Sequence, residues 1–246
     1  MRRRFFVDGF DGRRATLDGD AAHHAGRVLR AAPGQLYELS DGQTVWLAQV
    51  TSARRDAVEF SLVEPVAAAA PAIRMELLLA IVKYDRFEWA LEKATELGAA
   101  GITPLAAART EKALVAAAAK RAARWQKILT EAAQQSRQLR APVLHPAVGP
   151  AEAFRSAAAA ADAPGAALLF FSEAPGAPPL RSVLRDRTAA RGAVIAIGPE
   201  GGWTEEERSA ALASGFREAG LGSAILRTET AVAAALACVG YALAPL

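Results

Sequence analysis

The stretch Ala193-Val194-Ile195-Ala196-Ile197-Gly198-Pro199-Glu200-Gly201-Gly202-Trp203-Thr204-Glu205-Glu206-Glu207 carries the reading of the fold. Its unbroken apolar run is that of a strand covered on both faces. The run breaks into a glycine-rich loop, after which Thr204 and Glu207 have the spacing of a capping box that opens a helix. Strand, glycine loop and helix together are the layout of a phosphate cradle. The chemistry argues otherwise. A Walker-type cradle needs a lysine and a Ser/Thr after its last glycine, and neither is present. Gly198, Gly201 and Gly202 also miss the spacing of a dinucleotide fingerprint. Glu205, Glu206 and Glu207 fill the first helical turn and offset the positive helix end that would attract a phosphate. The loop therefore suits a cation, or a neutral group read by backbone atoms that glycines let come close. The plain alternative is a tight turn that holds nothing.

Outward from this stretch, the pattern repeats. Met75 to Val82 is a second near-continuous apolar run. Lys83 to Leu97 places Phe87, Ala90, Leu91, Ala94 and Leu97 on one helical face, and Gly98 stops it. Ile102 to Leu105 and Ala167 to Phe171 are further strands, and Lys120 to Gln138 is a long basic helix. Strand alternating with helix predicts an α/β domain with a mostly parallel sheet. The first 65 or so residues read differently. Leu36–Leu39 and Thr44–Val50 flank Asp41-Gly42, a hairpin signal, and Val58–Val63 alternates as a half-buried strand does. A small β-barrel over 1–68 and an α/β domain over 72–246 follow, with Ala67–Pro71 as linker.

Composition bounds the function. The 246 residues are 52% hydrophobic and 22% charged, as in a folded globular chain. Cys238 is the only cysteine, so no intrachain disulfide forms and a reducing compartment is expected. The basic tip Met1–Arg4 leads into no apolar signal-peptide core, and no run is apolar enough to span a bilayer. The expected location is the cytoplasm. His23 and His24 lack a third ligand nearby, so no metal site is expected. Net charge is +3, yet Leu105 to His145 holds eight Lys/Arg against two Glu. That stripe suits a polyanion such as RNA; a solvated helix face is the bland alternative.

A second loop is Leu221-Gly222-Ser223-Ala224-Ile225-Leu226-Arg227-Thr228-Glu229-Thr230-Ala231. Arg227 and Glu229 are a charged pair beside the apolar helix Ala231 to Leu243, which Thr228 or Thr230 is expected to cap. That helix is apolar nearly all round, which predicts burial against the sheet or a partner subunit, with Cys238 packed as a small apolar group.

"IGPEGGWT" and "LGSAILRTETA", with "FEWALEKATELG", "RWQKILTEAAQQS", "RRRFFV" and "HHAGRVLRAAPGQ", resemble the bacterial 16S ribosomal RNA uridine-N3 methyltransferases of the SPOUT superfamily. The resemblance runs over essentially the whole chain, in order. It implies a PUA-like RNA-binding barrel followed by a SPOUT domain whose C-terminal segment forms a trefoil knot. It also implies S-adenosylmethionine as cofactor, a homodimer, and 16S rRNA of the small (30S) ribosomal subunit, in its decoding region, as substrate. The cofactor residues carried over are Phe171, Ser172, Glu173, Ile197, Gly198, Pro199, Gly201, Gly202, Leu221, Gly222, Ile225, Leu226, Thr228 and Thr230. Uridine N3 carries a proton, and no histidine lies in these loops. Glu200 and Glu229 are therefore the candidate proton acceptors, with Arg227 stabilising charge on the uracil. Arg30, Arg109, Arg124, Arg137 and Arg140 are the candidate RNA contacts. In one place the chain departs from the family pattern: Gln138 stands where an arginine is expected, with Arg137 and Arg140 as nearby substitutes. The competing readings are a non-catalytic RNA-binding or ribosome-assembly protein of the same fold, and a ribose 2′-O-methyltransferase.

Overall fold

The computed structural model describes residues 3–68, 71–160, 165–185 and 190–244. The chain divides into two units, one of residues 1–70 with 130–141 and the other of 71–129 with 142–246.

The first unit contains β1 (Arg4–Phe6), β2 (Arg14–Asp18), a short helix α1 (Gly19–His23) continued by a π-helical turn over His24–Val28, β3 (Leu36–Ser40), β4 (Val45–Ala53) and β5 (Ala57–Val66). The strands form one sheet in the order β1-β3-β4-β5-β2, antiparallel except for β1 on β3. Asp41-Gly42 makes the expected turn. The Asp41 carboxylate accepts from the Gln43 and Thr44 amides, and Gly42 takes a φ of 85°. Phe5, Leu17, Leu39, Val50, Val58 and Phe60 form the core.

Residues 130–141 join this unit through a buried ion pair. The Arg4 guanidinium donates to Glu38 at 2.9 and 3.2 Å, and to the carbonyls of Arg137 and Gln138. The Ser40 hydroxyl donates to the Leu139 carbonyl at 2.6 Å. A buried guanidinium must fill its donors or pay a large desolvation cost, and here carboxylate and backbone fill them.

The second unit runs β6 (Arg74–Ala80), α2 (Tyr84–Glu96), β7 (Ala99–Leu105), α3 (Lys112–Gln135), β8 (Val143–Leu144), α4 (Pro150–Ala160), β9 (Ala166–Phe171), α5 (Leu180–Leu184), β10 (Gly192–Ile197), α6 (Glu205–Ala213), β11 (Arg217–Ala219) and α7 (Thr228–Leu243). The sheet order is β11-β9-β10-β6-β7-β8, and every pair is parallel. Two apolar layers sandwich it, which is why β6 and β10 read as continuous apolar runs. Leu77, Leu79, Ile195 and Ile197 pack with Phe87, Trp125, Leu236 and Val239. Leu78, Val194, Ala196 and Phe170 pack with Phe154 and Phe216 on the other face. The expected α/β class is the one observed.

Some local expectations need correction. Helix α3 occupies Lys112–Gln135 instead of 120–138. It starts earlier because residues 113–119, mostly alanine, are strong helix formers, and it stops before Arg137, whose φ of 58° is left-handed. The low-complexity run Ala157–Ala161 reads as helical from its alanines; its first four residues end α4, and Ala161 lies outside the described residues. Helix α7 begins at Thr228, and neither Thr228 nor Thr230 caps it: the N-cap is Arg227, with no side-chain cap bond. Cys238 is exposed, not packed inside. One side of α7 faces the core through Val232, Ala235, Leu236 and Val239, while Tyr241 is 89% exposed.

Candidate active site

Three loops gather at the carboxyl ends of β9, β10 and β11, where open parallel sheets characteristically bind ligands. The loop after β10 is shaped by close approaches. A Cβ on Gly198 would lie 2.9 Å from the Trp203 ring, so only glycine fits there. Gly202 takes a φ of 71°, and its amide donates to the Pro199 carbonyl at 2.8 Å. The Trp203 indole packs against Phe154 and Phe170 and donates from Nε1 to the Phe171 carbonyl at 2.9 Å. It acts as a strut that ties the β10 loop to the end of β9.

The capping box closes as the sequence predicts. The Glu207 amide donates to Thr204 Oγ1, and the Thr204 amide donates to Glu207 Oε2 at 2.9 Å. Glu207 Oε1 is also used, accepting from the Ala108 amide at 2.7 Å. One buried carboxylate thus serves two groups: the N-cap amide of α6 and the neighbouring loop.

The other loops are tied in turn. Thr228 is buried, and its hydroxyl, free of any capping duty, donates to the Gly198 carbonyl at 3.2 Å. The Ser172 amide donates to the Ala219 carbonyl at 3.1 Å. Glu218 on β11 accepts from the Arg208 guanidinium at 2.7 Å. That bond, with one from Ser172, holds the Glu218 carboxyl below the usual range against the opposing effect of burial.

Between the loops lies a cavity of about 270 Å³. Of the residues singled out from sequence, Phe171, Ser172, Glu173, Ile197, Gly198, Pro199, Glu200, Gly202, Leu221, Gly222, Ile225, Leu226, Arg227 and Thr228 line it. Gly201, Glu229 and Thr230 are not in the lining. Glu229 is half-buried in the first turn of α7, and its Oε2 finds no hydrogen-bond partner among the described residues. Trp203, Ala224, Ala231 and Arg86 also line the cavity. Arg86, in the first turn of α2, forms an ion pair with Glu200. Its one sequence signal was a charged turn directly after the buried strand β6.

The arginines expected to hold RNA fall in different surroundings. Arg109 donates to the Gly201 carbonyl at 2.7 Å and so braces the β10 loop. Arg124 makes a two-pronged contact with Glu88, both bonds at 2.6 Å, which raises its already high pKa. In the first unit, Arg137 lies 3.7 Å from Glu38, while Arg30, with a φ of 52°, and Arg140 are exposed. Among the described residues, no group of three or more His, Cys, Asp or Glu is arranged to hold a metal ion. No described helix is long and apolar enough to cross a membrane.

Residues 69–240 match the RNA methyltransferase domain family, and residues 17–63 match the RNA methyltransferase PUA domain. The chain is 35% identical over 225 residues to the ribosomal RNA small subunit methyltransferase E of a Synechocystis strain, covering 90% of this chain and 71% of that protein. It is 31% identical over 242 residues to the protein of the same name from Mycobacterium bovis, covering 96% and 90%. The chain belongs to the ribosomal RNA small subunit methyltransferase E family. A solved methyltransferase E from Neisseria gonorrhoeae, bound to S-adenosyl methionine, superposes with a TM-score of 0.85 at 31% identity over 98% of both chains. A putative methyltransferase from Legionella pneumophila, also with S-adenosylmethionine bound, gives 0.84 at 27% identity over 98% of both. The methyltransferase E relatives thus share both units of this chain: the SPOUT-type parallel sheet and the PUA-like N-terminal sheet.

Proposed function

We propose that this protein is an S-adenosylmethionine-dependent methyltransferase that modifies N3 of a uridine in the decoding region of 16S rRNA. The observation that carries the reading is the cavity walled by the loops after β9, β10 and β11, in a fold whose close neighbours hold this cofactor. The residues present fit the group. Two glycines sit where a Cβ would meet Trp203 or, at 3.2 Å, Glu173 Oε1. Carboxylates at Glu173 and Glu200 suit a sulfonium cation better than a phosphate, and apolar Ile197, Leu226 and Ala231 suit an adenosyl group. When bound, the cofactor supplies an electrophilic methyl group.

The chain supplies the rest. Phe171–Glu173, Ile197–Gly202 and Leu221–Thr228 hold the donor in place, and such alignment is worth up to about 7–11 kcal/mol of barrier. N3 must lose its proton as the N–C bond forms. Glu200 is paired with Arg86, which leaves Glu229 as the acceptor, although it stands outside the cavity lining with its unpartnered Oε2 buried. Arg227 stabilises the negative charge that spreads onto the uracil carbonyls. N3 lies on the Watson–Crick edge, so the target base is unpaired or turned out of its stack. In the first unit exposed Arg30 and Arg140 are RNA phosphate contacts, and in the second so are the donors of Arg109 not given to Gly201.

The protein acts in the cytoplasm as a homodimer, covering the exposed side of α7 at Tyr241 and Cys238 together with Trp89 of α2. Its C-terminal segment threads a loop to make a trefoil knot. Calorimetry with S-adenosylmethionine, followed by methyl incorporation into unmodified 30S subunits, tests the function. Tight binding with incorporation supports it; no binding favours a non-catalytic assembly protein.

A further inference from the structure

The loop at Gly198–Gly202 poses a physical problem. Three glycines and one proline in five residues leave it few side chains with which to hold itself down, and glycine loses more backbone freedom on ordering than any other residue. Its beginning is fixed by Thr228 on the Gly198 carbonyl, and its end by the Trp203 strut. The middle, Glu200 and Gly201, has no anchor of its own. Two cations from outside the signature loops supply it. Arg86 comes from the start of α2 and forms an ion pair with the Glu200 carboxylate. Arg109 comes from the segment between β7 and α3 and donates to the Gly201 carbonyl at 2.7 Å. Its side-chain carbons also run along Gly201, where a Cβ would stand 3.3 Å from the Arg109 Cβ.

We infer that Arg86 and Arg109 are positioning residues that clasp the cofactor loop, and that Glu200 is the loop's half of this clasp and not the proton acceptor. The inference rests on the methyltransferase reading for its activity readouts. Its structural claim stands on the ion pair and the carbonyl contact alone. Three consequences follow from the charges. A carboxylate whose lone pairs are engaged by a guanidinium has none free to take a proton from substrate, so it is a poor base. Two arginines beside a site for a cationic donor would repel it unless their charge were offset. Glu200 offsets Arg86, and the Glu173 carboxylate borders Gly202 together with the Arg109 guanidinium. Finally, Arg86 enters from a different strand end than the three cofactor loops, so the clasp links the β6 end of the sheet to the β10 end.

The test uses the full-length protein and the variants Arg86→Ala, Arg86→Lys, Arg109→Ala, Glu200→Gln and the double variant Arg86→Ala/Glu200→Gln. Backbone hydrogen exchange of residues 198–203 is measured first, with no cofactor added. Arg86→Ala and Arg109→Ala each speed exchange there by about tenfold, while the core strand Val194–Ile197 is unmoved. Calorimetry with S-adenosylmethionine then shows about tenfold weaker binding for Arg86→Ala and for Glu200→Gln. The double variant is no worse than either single one, as expected of partners in one contact, and Arg86→Lys recovers part of the loss. With saturating cofactor, the Glu200→Gln enzyme keeps the acid limb of the wild-type pH profile of kcat. Additive losses in the double variant, or exchange at 198–203 equal to wild type in both arginine variants, overturn the clasp. Loss of the acid limb in Glu200→Gln overturns its exclusion as the base. If the wild-type protein binds no S-adenosylmethionine, the functional reading fails instead, and the exchange data still decide the clasp.

Discussion

At the level of single residues, the strongest constraint is Gly198. A methyl group there would stand 2.9 Å from an indole that cannot easily retreat, because Trp203 is hydrogen-bonded to Phe171 and packed against the tilted ring of Phe170. Gly198→Ala is expected to destabilise the fold by about 1–3 kcal/mol and to weaken S-adenosylmethionine binding at least about tenfold. Urea melts and calorimetry check the two effects. Which residues were legible from sequence follows the range of the forces. The Thr204–Glu207 cap is local, so spacing alone revealed it. The partner of Thr228 is remote: any threonine before a helix can cap, and only the folded sheet shows Gly198 within reach of its hydroxyl. Arg86 was invisible for the same reason, since its partner Glu200 is brought to it by the β6–β10 pairing and not by proximity in the chain.

Among the elements, β11 and α6 are held together by Arg208 and Glu218. The Glu218 carboxyl is held below its ordinary value, first by the Arg208 hydrogen bonds. Its folded pKa is thus below the unfolded value of about 4.3. The pair stabilises the protein above that value, and the contribution is lost as pH falls through the folded pKa. Glu218→Gln is expected to cost about 1 kcal/mol at pH 7, given its partial exposure, with the difference from wild type closing as pH is lowered below 4. Thermal melts over pH 3–7 follow the convergence. Helix α2 docks through Phe87, whose ring lies 4.6 Å from that of Trp125. Phe87→Ala should cost about 3–5 kcal/mol in a chemical melt. That face was legible from its 3.6-residue period except at its end, where Leu97 is the exposed C-cap. The sides of α7 were not, because a helix made of alanine, valine and leucine has no polar stripe to mark its exposed side, and so Cys238 was expected to pack inside although it is exposed.

For the whole molecule, the α/β class and the parallel sheet were readable because buried strands between amphipathic helices leave a distinct pattern. The membership of residues 130–141 in the first unit was not, since it depends on Arg4 and Ser40 reaching backbone carbonyls far along the chain. The proposed dimer covers the exposed Tyr241 and Cys238 of α7 together with Trp89 of α2. In sedimentation, wild type should run as a dimer and Tyr241→Glu as a monomer; a wild-type monomer would refute the dimer. RNA binding led by arginine–phosphate contacts should weaken steeply with salt, and Arg140→Ala should lower the slope of log K against log salt by about 1. The central claim is the identity of the methylated atom. Unmodified 30S subunits incubated with this protein and S-adenosylmethionine, then digested to nucleosides and resolved by mass spectrometry, should yield 3-methyluridine. A 2′-O-methylated nucleoside, or no methylated nucleoside at all, would contradict it.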